Sequence, residues 1–105
     1  MESVWNEARM RSLARQLQAL KGLVRLRLVR YLVHEELSVS ELADRLRLSQ
    51  PLVSWHLHQL ELQGFVRAER CGREVHYHLE RAAFAQLQEN LQKLLAEDPS
   101  HEIKE

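Results

Sequence analysis

The run SQPLVSWHLHQ, Ser49 to Gln59, concentrates side chains that can exchange hydrogen bonds with the edges of nucleotide bases. Gln50 and Gln59 each carry an amide that matches the donor and acceptor pair of an adenine edge. Ser54 can serve several bases or a phosphate, and His58 can donate to a guanine or a phosphate. Trp55 breaks the polar series with an aromatic ring that either touches a thymine methyl or sugar or leans back over the protein surface. Farther along, Arg67, Arg70 and Arg73 supply cations of the kind that meet a phosphate backbone or an adjacent minor groove. Bond-breaking chemistry has no comparable set. There is no glycine-rich phosphate loop, no pair of carboxylates in an identifiable cleft and no nucleophile with a convincing base, so neither an enzyme nor a cofactor is expected.

Those side chains need a helix to present them. Ser49 is a good N-cap, Pro51 is tolerated in a first turn, and Gly64 suits a left-handed C-cap. On the helix so bounded, Val53, Leu57 and Leu60 share the inward face, which sends Pro51, Ser54, Trp55 and His58 outward and leaves Gln50 and Gln59 at the flanks. A shorter helix precedes it across the link RLS. Its start is marked by ELSVSEL, in which the Ser38 hydroxyl can accept the Glu41 N–H while the Glu41 carboxylate accepts the Ser38 N–H.

Two further helices lie upstream, from Val4 to Leu20 and from Leu23 to Val33, with Gly22 between them. Arg25, Arg27 and Arg30 alternate with apolar residues on the second and read as a solvated or salt-bridged face. After Gly64 the period changes. Phe65–Glu69 and Val75–Leu79 flank RCGR, and Val75, Tyr77 and Leu79 alternate with His76 and His78, as in a β-hairpin. A last helix spans Arg81 to Ala96 with a leucine stripe, and 97–105 reads as a flexible polar tail. The expected fold is mainly α with a small β-hairpin: one winged helix-turn-helix domain covering 1–105.

Composition narrows the class. Lys and Arg number 15, as do Asp and Glu, so a basic face must come from placement of charge rather than from its total. A single cysteine, Cys71, cannot close an internal disulfide, and no apolar run approaches the roughly 20 residues of a membrane span; a cytoplasmic protein is expected. A chain of 105 residues has a thin core, which favours sharing it with a second copy.

RLRLVRYL, ELSVSELADRLRLSQPLVSWHLHQLELQGFV and REVHYHL together resemble the ArsR/SmtB family of dimeric winged-helix bacterial repressors, over Leu20 to Leu79. The most specific part is SQPLVSWHL, where Ser49, Gln50, Pro51, Val53, Ser54, His56 and Leu57 match the family pattern. The resemblance implies a homodimer formed by the first and last helices, here 1–20 and 81–96, bound to an inverted-repeat operator on double-stranded DNA. Trp5, Leu13, Leu17, Phe84, Leu87, Leu91 and Leu94 are the expected interface residues. His56 is expected to be a half-buried structural histidine.

Sensing is where the chain departs from the family pattern. Ser38 and Ser40 stand where many members carry the two cysteines of an ELCVCDL-like metal site, and a hydroxyl is a poor ligand for soft cations. A second family site takes Asp and His from the last helix, which has neither between Arg81 and Ala96. No metal site is therefore expected, and the repressor is read as not metal-responsive. Three rival readings remain: a wing Cys/His metal site from Cys71, His76 and His78; a redox switch at Cys71, its pKa lowered by Arg70 and Arg73; and a winged helix that docks a partner protein through Trp55.

Overall fold

A computed structural model describes residues 6–96; Trp5 and the tail 97–105 lie outside the described residues. The elements run α1 (Glu7–Leu20), α2 (Leu23–Leu32), β1 (Leu37–Ser38), α3 (Val39–Leu46), α4 (Gln50–Leu62), β2 (Val66–Cys71), β3 (Glu74–Leu79) and α5 (Arg81–Ala96). Asn6 rather than Val4 sets the beginning of α1, because its extended backbone and side-chain oxygen cap the helix, accepting the Arg9 N–H at 2.9 Å.

The helix-turn-helix pair is fixed by local chemistry at three points. Ser38 and Glu41 make both hydrogen bonds of the capping box, at 3.0 Å to the Ser38 hydroxyl and 2.9 Å to the Glu41 carboxylate. The Ser49 hydroxyl accepts the Leu52 N–H at 3.3 Å and starts α4. At the far end, Gly64 takes φ +77°, a conformation that costs glycine little. That turn lets Gly64 N–H reach Glu61 O and Phe65 N–H reach Leu60 O, closing the helix and delivering Phe65 to the core.

Packing follows the apolar stripes. Leu28, Leu42, Val53, Leu57, Leu60 and Phe65 are completely buried, so α2, α3 and α4 share one core with the base of the wing. Each such side chain contributes on the order of 1.5–3 kcal/mol, against about 1 for a typical cap. Phe84 of α5 closes one end of the core, its ring 4.7 Å from that of Phe65.

The wing holds one more strand than the sequence suggested. β1 pairs antiparallel with β3, giving the sheet order β1-β3-β2, with Leu37 opposite Tyr77 and Ser38 opposite His76. β2 and β3 also extend farther toward their turn than expected, to Cys71 and from Glu74.

α1 lies against α5, where Leu13 and Leu87 are buried and Asn90 donates to Gln16 at 3.0 Å in a buried contact. Leu13 and Leu87, expected at a dimer interface, thus take their cover from their own chain. Phe84 likewise faces Phe65. Leu17, at 45 % exposure, and Leu95, at 83 %, remain uncovered, and Leu91 and Leu94 are half-buried.

Replacing Ser38 by Ala should lower the unfolding free energy by about 1 kcal/mol in a denaturant titration, since the Glu41 N–H loses its acceptor. Acid should weaken parent and variant alike through Glu41, because alanine keeps the backbone N–H that donates to its carboxylate. The capping hydrogen bonds from Ser38 hold the Glu41 carboxyl below its ordinary pKa, so its stabilisation is present above the unfolded value and lost as pH falls through the folded one.

Candidate nucleic-acid interface

The outer face of α4 and the wing enclose an open groove of about 440 Å³. Gln50, Pro51 and Ser54 line it from α4, Ser38, Val39 and Ser40 from the start of α3, and Arg73, Glu74 and Val75 from the wing turn and β3. Three residues expected to face DNA, two of them with base-reading groups, therefore stand in one concavity with one of the expected wing cations. Arg70 and Arg73 are exposed and form no ion pair among the described residues, which leaves their guanidinium groups available to an anion. The N-terminal turn of α4 brings its partial positive charge to the same rim.

The remaining expected residues separate. Ser49 is exposed, with its hydroxyl engaged in the helix cap. Arg67 lies at the base of the hairpin, bound to Glu80 at 3.1 Å, away from the groove. Gln59 lines a different hollow with Arg15, Gln18 and Arg25. His58 is exposed, 3.9 Å from Glu61.

Trp55 is half exposed and leans over the protein surface. The Arg25 guanidinium sits 5.2 Å from its ring centroid, and His56 meets it edge-on at 4.9 Å. Arg25 also donates from Nε to His56 Nδ1 at 3.1 Å and from Nη1 to the Ala19 carbonyl at 3.2 Å. Arg25 is thus no member of a solvated face: it ties the end of α1 to α4 and braces the tryptophan from behind. Its single long side chain on α2 gave no sequence signal for this, because both partners lie on other helices. His56 is half-buried as expected. Partial burial, and secondly the Arg25 charge, hold its pKa below the usual histidine value, so it stays the neutral acceptor that Arg25 requires.

Cys71 behaves opposite to the redox expectation. Desolvation of its sulfur, followed by the negative charges of Glu69, Glu36 and Glu74, pushes the thiol pKa up rather than down, so Arg70 and Arg73 do not activate it. Its sulfur lies 3.9 Å from the Glu69 carbonyl. His76 and His78 do project from one face of β3, but their neighbours are glutamates: Glu36 and Glu74 around His76, Glu36 and Glu69 around His78. The cysteine positions of the family metal segment hold a buried Ser38, whose hydroxyl is spent on a helix cap, and an exposed Ser40. On α5, Asn90 is committed to Gln16. Neither place offers donors that fit a soft metal.

Three helices with a recognition helix, followed by a short antiparallel wing, define a winged helix-turn-helix protein. Residues 22–68 match the family model described as bacterial regulatory protein, arsR family. A biofilm growth-associated repressor of Xylella fastidiosa is 38 % identical over 81 residues, covering 77 % of this chain and 71 % of the relative. The chain belongs to the ArsR family. The transcriptional repressor SmtB of Mycobacterium tuberculosis is 48 % identical over 63 residues, or 60 % of this chain. That match spans 47 % of the relative, about half its length. The crystal structure of the repressor BigR from Xylella fastidiosa superposes with a TM-score of 0.65 at 35 % identity, covering 88 % of this chain and 94 % of that one. Among the described residues no helix is long and apolar enough to cross a membrane.

Replacing Arg25 by Ala should move the His56 titration, followed by NMR, upward toward the ordinary histidine range. The return should be incomplete because burial, the larger cause, remains. Trp55 emission should change in the same variant as the ring loses its cation. An unmoved His56 titration would contradict the bracing role of Arg25.

Proposed function

We propose that the protein is a sequence-specific DNA-binding transcriptional repressor that acts as a homodimer on an inverted-repeat operator. The observation that carries this reading is the groove in which Gln50, Pro51 and Ser54 of α4 face Arg73 of the wing. Gln50 and Ser54 have the groups to read base edges, while Arg70, Arg73 and the α4 N-terminus serve phosphates. Trp55 and His58 flank the contact on the same outward face. Gln59 and Arg67 are left out of it, given their own partners. The relatives described as repressors support the same direction of regulation.

Pairing of two copies is supported by the leucines of α1 and α5 that keep exposed surface. Leu17 and Leu95 are exposed and Leu91 and Leu94 half-buried, and a second copy related by a two-fold axis would cover what they expose. Two recognition helices so related would read half-sites about one helical turn apart. With hydroxyls in place of thiolates at 38 and 40, operator binding is independent of thiol-seeking ions such as arsenite and cadmium.

A partner-protein role for the wing and Trp55 is the rival reading. Trp55 is already braced by Arg25 and His56, which weakens its case as a free docking anchor.

Incubating the purified protein with sheared genomic DNA and sequencing what it retains should enrich a palindromic site; recovery of random fragments alone would count against the proposal. Gln50→Ala should cost about 1–3 kcal/mol, and Ser54→Ala about 0.5–1.5 kcal/mol, in discrimination between that site and random DNA, measured by competition binding. Equal losses on both DNAs would sink the base contacts. Arsenite or cadmium should leave the bound fraction unchanged, and release by either would overturn the thiol-independent assignment.

A further inference from the structure

The wing face turned away from the core gathers Glu36, Glu69, His76 and His78, none of which lines the groove, with Glu74 reaching His76 from the groove's edge. β3 is the central strand of the sheet; Val75, Tyr77 and Leu79 alternate toward the core, which puts His76 and His78 together on the opposite side. Glu69 reaches over them from β2 and Glu36 from the segment entering β1, so carboxylates arrive from both neighbours of the central strand. His78 Nε2 lies 2.7 Å from Glu69 Oε1 and 3.2 Å from Glu36 Oε2. The same Glu36 oxygen is 3.3 Å from His76 Nδ1, while His76 Nε2 meets Glu74 at 3.0 Å.

We propose that Glu36, Glu69 and His78 form a binding site for one divalent transition-metal cation of the zinc class at the root of the wing. One ligand atom from each of the three lies within 4.8 Å of those of the other two. Ligand atoms about 2.1 Å from a shared ion at tetrahedral angles stand about 3.4 Å apart, so small side-chain rotations convert the observed spacings into coordination.

Three further features point the same way. The ligands come from three separate segments held in register by the sheet, so little order has to be created on binding. The imidazoles of His76 and His78 are only 23 % and 22 % exposed, which limits competition from water. Three carboxylates surround two imidazoles, and Arg67, which stands opposite His78 on β2, is taken by Glu80. A dication would neutralise charge that the protein leaves unmatched.

His76 is a positioning residue here. Held by Glu74, it directs the Glu36 carboxylate toward His78. One imidazole with two carboxylates suits zinc, cobalt or nickel and gives a poor home to arsenite. This departs from the expectation of a chain without a metal site, and it uses neither Cys71 nor the serines of the family segment. An ion there would join the segment leading into the α3 cap to both strands of the wing.

The test uses the full chain stripped with a chelator and titrated with zinc by calorimetry and with cobalt by absorption. One ion per chain should bind, the cobalt spectrum should show d–d bands without a thiolate charge-transfer band, and Cys71→Ser should bind as the parent does. Glu36→Gln and Glu69→Gln, both at exposed residues, and His78→Gln should each weaken binding on the order of tenfold or more. Zinc should raise the thermal unfolding midpoint of the parent and leave that of Glu36→Gln unmoved. Parent-like affinity in both glutamine variants of Glu36 and Glu69, or a thiolate band lost in Cys71→Ser, would overturn the site. Neither result bears on operator binding, which needs none of these three residues.

Discussion

Ser38 carries two structural duties at once, and the DNA-reading frame depends on their coincidence. Its side chain caps α3 while its backbone stands opposite His76 in the sheet. The helix-turn-helix and the wing are therefore anchored through one buried residue rather than through a flexible joint. α4 is then set by α3 through the core residues Leu42, Val53 and Leu57, so the angle between recognition helix and wing is inherited from that junction. The groove between them is its consequence.

That geometry explains how a chain with equal numbers of acidic and basic residues can still bring an exposed arginine to the groove. Charge is sorted by place: Arg73 and the α4 N-terminus stand at the groove with Glu74 as the one carboxylate in its lining, whereas Glu36 and Glu69 lie away from it and, with Glu74, surround His76 and His78. The sorting also bears on the chemistry of Cys71. A thiol near two arginines in sequence is governed in space first by desolvation and then by three glutamates, and its pKa moves up accordingly. Net charge alone predicts none of this.

The sequence made legible whatever rests on contacts a few residues apart. The capping box at Ser38, the cap at Ser49 and the left-handed turn at Gly64 are such features, and so is the inward stripe Val53, Leu57 and Leu60. β1 was not legible, because a two-residue strand exists only through pairing with Tyr77 and His76 some forty positions away. The brace from Arg25 to Trp55 and His56, the retreat of Gln59 and Arg67, and the cover that α5 gives to Leu13 are hidden for the same reason. Of the expected reading residues, those in the first turns of α4 lie in the groove; those farther along the helix turn toward α1 and α2, or stand free.

The most direct measurement of the central claim is the salt dependence of binding to a duplex carrying the captured site, followed by fluorescence anisotropy in the parent and in Arg70→Ala and Arg73→Ala. Neutralised phosphates release counterions, so log affinity should fall linearly with log salt, and each arginine removed should reduce the slope by about 1. Affinity that is flat with salt, or slopes identical in all three proteins, would contradict a groove built to read DNA.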